Sequence, residues 1–305
     1  MKNRPDRRTI LETQELFKLP SPALVEKDWF VVQALAAIHD VNVEGLTLTF
    51  GGGTALGRAY RLIKRMSEDI DLRIIGENAG KRGPLKRLRA EVSARLEAAG
   101  FEVTGHVEVK HNDTYVRYDL PYPSSMGGEG VLRPEIKIEL SAFPICTAPE
   151  TRSVSSFVAE ATQGQPETPA VSCVRLVETA AEKFVALGRR AGSAFNGHDE
   201  ALDHTLARHV YDLARMEGHY DLDEAVAIAI KSMPEEAARR ADKYDAYRLD
   251  PKAETLRVFD TMATHADFIA SYEALMSDLV YGDKTTFAED FPAVQSFAER
   301  VRGAN

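Results

Sequence analysis

LTLTFGGGTALGRAYRLIKRMSEDIDLRI, residues 46–74, contains an apolar strand, three glycines, a helix, and a second strand that carries Asp69 and Asp71. Because alternate residues of a strand point to the same face, these two carboxylates project together while Ile70 and Leu72 project to the other side. Neighbouring carboxylates repel each other, and a cation relieves the repulsion. Mg²⁺ is the expected cation, since it commonly binds one or two carboxylates together with substrate phosphates.

The glycine run lies immediately before a predicted helix whose first turn contains Thr54. Backbone N–H groups at a helix start bind phosphate well when no Cβ blocks the approach, so Gly52 and Gly53 predict a phosphate seat. A tight turn and a solvated strand end explain the same residues when each motif is taken alone. No Gly-Lys-Ser/Thr follows, which excludes a Walker P-loop, and the G-x-G-x-x-G spacing of a dinucleotide site is incomplete.

Helices and strands alternate through the first half of the chain, which predicts an α/β domain with a mixed sheet over residues 1–170. The predicted helices and strands are helices 22–39 and 83–99, strands 101–109, 114–120 and 132–141, a loop at 121–130, and a connection with one short strand at 147–170.

Helical periodicity dominates from residue 171, which predicts an α-helical domain over 171–305 that completes the active-site cleft. The predicted helices are 174–190, 199–217, 222–232, 234–248, 252–281 with a break, and 290–301. The fold class is therefore α+β.

Composition excludes fewer classes of function than the motifs do. The 305 residues carry a formal net charge of −9 and two cysteines without metal-ligand spacing. A zinc site and a disulfide scaffold are therefore not expected. The charged N-terminus lacks the apolar core of a signal peptide, and no apolar run is long enough to span a membrane, so we expect a cytoplasmic protein.

Three further residues are candidates for chemistry. Glu139 lies in the strand RPEIKIELSAF and is either a third carboxylate or part of a solvated strand face. Lys183 falls on the apolar stripe of its helix, where it either reaches the surface or points into a polar cleft that binds a triphosphate. Spacing alone does not select Asp212, because Arg208 and Arg215 on the same helix could pair with it.

Basic residues are concentrated around the first motif and the helix that follows it. This cluster either receives an RNA backbone or forms a solvated helix face. Its members are Arg58, Arg61, Lys64, Arg65, Lys81, Arg82, Lys86, Arg87 and Arg89.

FGGGTALGRAYRLIKRMSEDIDL resembles the first motif of the AbiEii/AbiGii-type nucleotidyltransferase toxins, which belong to the DNA polymerase beta-like superfamily. The resemblance continues through VEKDWFVVQAL, IKIEL, ETAAEKFVAL and RHVYDLARM, over roughly residues 22–216. It departs at His209, where many members carry an aspartate.

The resemblance implies Mg²⁺-dependent transfer of a nucleotidyl group from an NTP to RNA, with the tRNA 3′ end as the expected acceptor, by a toxin that has a cognate antitoxin and a role in phage defence. The implied metal ligands are Asp69, Asp71 and Glu139, and Lys183 and Asp212 complete the catalytic set. The implied nucleotide-binding residues are Gly52, Gly53, Thr54, Arg65 and Ser67.

Two alternatives remain open from the sequence. The motifs recognise the NTP and not its acceptor, so the same chain could place AMP or UMP on a protein side chain. A protein that binds an NTP or a partner without turnover could also use this scaffold.

Overall fold

The computed structural model describes residues 4–127, 132, 135–197, 202–240 and 244–304. The predicted loop 121–130, strand 132–141 and helices 199–217 and 234–248 lie partly outside the described residues. The chain divides into two compact units. The first comprises Met1–Arg61 and Met66–Val174, and the second comprises Leu62–Arg65 and Arg175–Asn305.

The first unit is built on one mixed sheet. Its strands are β1 (Asn42–Val43), β2 (Leu46–Gly51), β3 (Asp69–Ile75), β4 (Val107–Lys110), β5 (Tyr115–Pro121), β6 (Glu135–Ser141), β7 (Glu150–Val154) and β8 (Thr168–Cys173). Its helices are α1 (Arg7–Leu16), α2 (Pro22–Ile38), α3 (Gly52–Arg58), α4 (Arg82–Ala98) and α5 (Phe157–Ala161).

The strand order is β4-β5-β6-β3-β2-β8-β7, and β1 pairs with β2. β3 runs parallel to β6 and antiparallel to β2. The first motif therefore lies at the centre of the sheet, because β2 and β3 are joined by the glycine turn and α3. The mixed sheet predicted from the alternation of elements is confirmed.

Burial alternates along β3, β5 and β6 as the sequence predicts. One face of these strands enters the apolar core together with side chains of α2 and α4, such as Leu35 and Leu88. Each fully buried Leu or Ile contributes about 1.5–3 kcal/mol relative to an exposed one, so this face fixes the register of the sheet. The opposite face carries the polar side chains of the motifs.

Within the sheet of the first unit, two stretches differ from the strands and connections predicted there. The strand predicted at 101–109 is shorter, because Gly105 has φ +85° and the chain turns before β4. The connection predicted at 147–170 contains β7, α5 and the start of β8. β7 was missed because most of its residues are exposed, which leaves no apolar alternation to mark it.

The second unit is helical. Its α-helices within the described ranges are α6 (Leu176–Phe195), α7 (Ala207–Met216), α8 (Leu222–Arg240), α9 (Asp245–Leu249), α10 (Pro251–Met262), α11 (Ala266–Asp278) and α12 (Phe287–Gly303). The segment Leu62–Arg65 is within the predicted first domain but groups with this unit. Its Lys64 carbonyl accepts hydrogen bonds from the backbone N–H groups of Tyr281 and Gly282.

Candidate active site

The acidic residues of the first unit lie on two neighbouring parallel strands. The register of β3 and β6 places Asp71 beside Glu139 and Asp69 beside Lys137. All four side chains belong to the partly exposed face, because the residues between them are buried. This face therefore brings together the three carboxylates predicted from sequence, with a lysine among them.

The glycine turn holds the carboxylate of Asp71. Gly52 has φ +70°, and a Cβ built on it would lie 1.9 Å from Asp71 Oδ2. No residue with a side chain could occupy this position without displacing the carboxylate. Gly52 and Gly53 are the first two residues of α3, so Asp71 lies against the start of that helix.

Asp69 and Glu139 both interact with Lys137. Lys137 Nζ lies 2.5 Å from Glu139 Oε1 and 3.8 Å from Asp69 Oδ2. Burial alone would lower the pKa of Lys137, but the Glu139 hydrogen bond and the Asp69 charge raise it, so the lysine stays protonated. Burial and then the charge of Glu139 raise the pKa of the Tyr115 hydroxyl to about 12. Glu139 therefore has a cationic partner from the protein itself.

The carboxylates of Asp69 and Asp71 are oxygen donors of the kind that Mg²⁺ binds. Within the described part of the chain, no group of three or more His, Cys, Asp or Glu residues is arranged to hold a metal ion. Asp69 and Asp71 are the carboxylate pair of β3 beside the glycine turn, and the predicted role of Glu139 as a third ligand stays a prediction. Two carboxylates together with substrate phosphates are a common ligand set for Mg²⁺, so the residues present fit the implied metal.

Thr54 and Ser67 join the glycine turn to the start of β3. Thr54 Oγ1 donates to the backbone carbonyl of Asp69 at 2.5 Å and lies 3.0 Å from Ser67 Oγ. Both hydroxyls therefore support the backbone that carries the first carboxylate. Their predicted role in binding the nucleotide stays a prediction.

In the second unit Lys183, Asp212 and Arg65 form a buried triad. Lys183 Nζ lies 2.7 Å from Asp212 Oδ2, and Arg65 donates to both carboxylate oxygens at 2.7 and 2.6 Å. Lys183 is buried, so it does not extend to the surface. The two partners of Asp212 come from α6 and from the segment Leu62–Arg65, and not from its own helix as the spacing allowed.

The triad fixes the protonation of Asp212. Burial alone would raise its pKa, but the Arg65 guanidinium and then the Lys183 ammonium hold that pKa well below its usual range. A carboxylate held ionised by two cations is a poor proton acceptor. The arrangement therefore suits Asp212 for positioning Lys183, and Arg65 for positioning Asp212.

His209 lies near this triad. Burial, followed by the charge of Lys183, holds the pKa of His209 well below its usual range, so the imidazole is neutral near pH 7. Its Nδ1 is buried without a hydrogen-bond partner among the described residues. The local sequence does not indicate this environment, because the neighbouring cations come from other segments of the chain.

Three consecutive charged residues of α2 anchor segments around the acidic strands of the first unit. The carboxylate of Glu26 accepts hydrogen bonds from Ser124 and Ser125. Lys27 forms an ion pair with Glu68, the residue before β3. Only the family resemblance drew attention to these residues, since helical periodicity gives no reason for buried charges at adjacent positions.

Asp28 is the third member of this triplet. It accepts a hydrogen bond from the backbone N–H of Phe157 at 2.7 Å and lies 3.4 Å from Arg58 at the end of α3. Burial raises the pKa of Asp28 to about 6, although Arg58 acts against this shift.

The basic cluster is largely compensated by acids. Arg87 binds both carboxylate oxygens of Glu44, and Arg82 and Arg89 both contact Asp113. These pairs offset much of the positive charge on α4. The cluster therefore gives little support for an RNA-binding surface at this helix.

The family model "Nucleotidyl transferase AbiEii toxin, Type IV TA system" matches residues 33–300. This match covers most of the chain, so the chain belongs to this family of nucleotidyltransferase toxins from type IV toxin–antitoxin systems. The resemblance drawn from the first motif is thus confirmed. No curated protein matches the chain.

The structure is similar to that of MenT4, a nucleotidyltransferase toxin from Mycobacterium tuberculosis H37Rv. The TM-score is 0.66 at 16% sequence identity, and the alignment covers 99% of this chain and 91% of MenT4. At this identity the likeness shows a shared fold, which confirms the α+β class. In the described ranges, no helix is both long and apolar enough to cross a membrane.

Proposed function

We propose that this toxin transfers a nucleotidyl group from an NTP to the 3′ end of tRNA, in a reaction that depends on Mg²⁺. The observation that carries the proposal is the position of Asp71 against Gly52, beside Asp69 on the same strand. The Asp71 carboxylate lies against the first residue of α3, and the family resemblance implies that the nucleotide binds at this turn.

Asp69 and Asp71 would hold the metal. When bound there, Mg²⁺ supplies positive charge that stabilises the phosphate oxygens during in-line displacement. Gly52 makes room for the Asp71 carboxylate, and the glycine turn remains the proposed phosphate seat. Thr54 and Ser67 hold the start of β3 beside this turn.

Lys183 would neutralise negative charge on the triphosphate as pyrophosphate leaves. Asp212 and Arg65 act through Lys183, because they fix the position of its ammonium by buried ion pairs. Arg65 would act by positioning Asp212, because its Nε and Nη2 both donate to that carboxylate. Its predicted contact with the nucleotide stays a prediction.

The tRNA acceptor, a role in phage defence and a cognate antitoxin all come from the family resemblance. Such a toxin would act in the cytoplasm, where NTPs and tRNA are available. A cognate antitoxin would counteract the toxin and so protect the host cell.

The test is incubation of the purified chain with Mg²⁺, total tRNA and each of the four α-³²P-labelled NTPs. Label in tRNA with the wild type but not with Asp69→Ala would support the proposal and identify the nucleotide. Label in protein instead of RNA would favour AMP or UMP transfer to a side chain. NTP binding without transfer to either acceptor would favour a binding-only protein.

A further inference from the structure

We propose that His209 is a second phosphate-binding residue beside Lys183, and that its Nδ1–H donates a hydrogen bond to the triphosphate. This role of His209 rests on the proposed function, because it takes Lys183 as the residue that neutralises the triphosphate. It involves residues of the helical unit alone. His209 is also where this sequence departs from many of its relatives, so the donor would be a property of this chain.

His209 lies on the same face of α7 as Asp212. The two residues are three positions apart on this helix, a spacing that makes their side chains neighbours. The Asp212 carboxylate in turn holds Lys183 Nζ at 2.7 Å. The imidazole and the ammonium therefore belong to one cluster around this carboxylate.

The inner nitrogen of His209 lacks a partner. The residue is partly exposed, but its Nδ1 is buried and has no hydrogen-bond partner among the described residues. A buried polar nitrogen without a partner is unfavourable, and a ligand that supplies the partner recovers this free energy on binding. The side chain thus has an open edge for a ligand and an unused hydrogen-bonding group beneath it.

The charges around the imidazole favour an anionic ligand. Lys183 and Arg65 share the carboxylate of Asp212, so this group of three carries a net positive charge. Arg190 on α6, although it pairs with Asp203, adds to the positive potential at the imidazole. An anionic oxygen is therefore the hydrogen-bond acceptor that this environment attracts, and a phosphate group presents several of them.

The imidazole is suited to act as a neutral donor. Burial and then the charge of Lys183 hold the pKa of His209 well below its usual range, while Asp212 acts in the opposite direction. A neutral imidazole carries one N–H, and an anion beside Nδ1 favours the tautomer that places the hydrogen there. His209 would thus bind a phosphate oxygen without adding another cation beside Lys183.

The experiment is a titration of the full chain with inorganic tripolyphosphate and Mg²⁺, followed by isothermal titration calorimetry, which measures binding without turnover. The variants are His209→Asn, His209→Gln and His209→Leu. The Asn amide nitrogen lies near the place of imidazole Nδ1 and the Gln amide nitrogen near that of Nε2, whereas Leu has no donor. The matched control is His204→Leu, because His204 belongs to the same unit and its Nδ1 already has a partner, Ser271 Oγ at 2.6 Å.

We expect His209→Leu and His209→Gln to weaken tripolyphosphate binding by about tenfold, as for loss of a hydrogen bond to a charged acceptor. His209→Asn and His204→Leu should stay within about threefold of the wild type, which is less than the loss expected for that hydrogen bond. In the transfer assay, His209→Leu should raise the KM for the NTP and leave kcat nearly unchanged, since the contact is made in both the ground state and the transition state.

Three results would overturn the role of His209. A folded His209→Leu protein that binds tripolyphosphate as tightly as His204→Leu does, even with a lower melting temperature, would leave His209 a packing role only. Binding by His209→Asn that is as weak as binding by His209→Gln, or binding by His209→Gln that is as tight as in the wild type, would remove Nδ1 as the donor. The last two comparisons hold even if His209→Leu does not fold.

Lys183→Met separates this role from the proposed function. We expect it to weaken tripolyphosphate binding more than His209→Leu does, because it removes the cation itself. If Lys183→Met is impaired and the His209 variants are not, the proposed function stands and the role of His209 falls. Wild-type binding by Lys183→Met would instead remove Lys183 from the triphosphate site of the proposed function.

Discussion

Replacing Gly52 by alanine adds a single methyl group at the point where the structure brings the glycine turn and the acidic strand together. The new Cβ would lie 1.9 Å from Asp71 Oδ2 and 2.8 Å from Asp71 Cγ. Non-bonded carbon and oxygen atoms do not approach this closely. The carboxylate must therefore move by more than about 1 Å, or the turn must open.

The Gly52→Ala substitution carries two free-energy costs that can be measured separately. The first is backbone strain, since an alanine at φ +70° is unfavourable by about 1–2 kcal/mol. The second is the displacement of Asp71, because misplacing a reacting or metal-binding group by about 1 Å can slow a reaction by about 100-fold, or about 2.7 kcal/mol of activation free energy. Only the second cost concerns the site.

Gly45→Ala is the matched control. Gly45 has φ +78°, and a Cβ built there meets no atom within 4 Å. Both variants should therefore lose a similar 1–2 kcal/mol of unfolding free energy from strain, measured by urea denaturation. Only Gly52→Ala should also lose Mn²⁺ affinity and about 100-fold in kcat/KM for nucleotidyl transfer.

The reasoning would be refuted by a folded Gly52→Ala protein whose Mn²⁺ affinity and kcat/KM lie within about threefold of those of Gly45→Ala, since a factor of three is only about 0.65 kcal/mol. That result would mean that the carboxylate of Asp71 can leave Gly52 without consequence, and Asp71 would lose its place in the metal site.

Further predictions concern the charged groups. Asp69→Ala should abolish transfer while the circular dichroism spectrum and melting temperature stay close to wild type; an active, folded variant would remove Asp69 from the site. Lys183→Met should lower kcat/KM by about 100-fold, as expected for loss of a group that stabilises transition-state charge, and unchanged kinetics would give Lys183 a structural role only. Asp212→Asn leaves two buried cations without their carboxylate and should cost about 3–5 kcal/mol of unfolding free energy in urea denaturation, whereas a loss below about 1 kcal/mol would contradict the buried triad. Because burial raises the pKa of Asp28 to about 6 despite Arg58, the folded state binds the proton more tightly than the unfolded state. Stability should therefore fall by roughly 2–3 kcal/mol as the pH rises from about 4 to about 6, and Asp28→Asn should remove this slope, which urea titrations at a series of pH values would show.

Local patterns were enough to predict much of the first unit. The alternation in β3 and β6 indicated which residues face the core, because side chains of a strand project to opposite faces whatever the strand pairs with. The glycine run and the acid pair lie close together in the chain, so their proximity in space needed only a short turn and one short helix. The same locality explains why most helices of the second unit were found from periodicity.

The ion-pair partners of the charged residues could be identified only from the tertiary structure. Arg65 and Asp212 are 147 residues apart in sequence, and their ion pair depends on how the segment Leu62–Arg65 packs with α7. Helical spacing instead suggested Arg215, which pairs with Asp290.

The contacts of Asp71 and Glu139 likewise depend on the sheet order, because β3 lies between β2 and β6. The sequence alone thus determined which side chains could do chemistry and which face of each strand they occupy, since those properties are local. Only the tertiary structure decided which charges meet, since that depends on strand order and helix packing between residues distant in the chain.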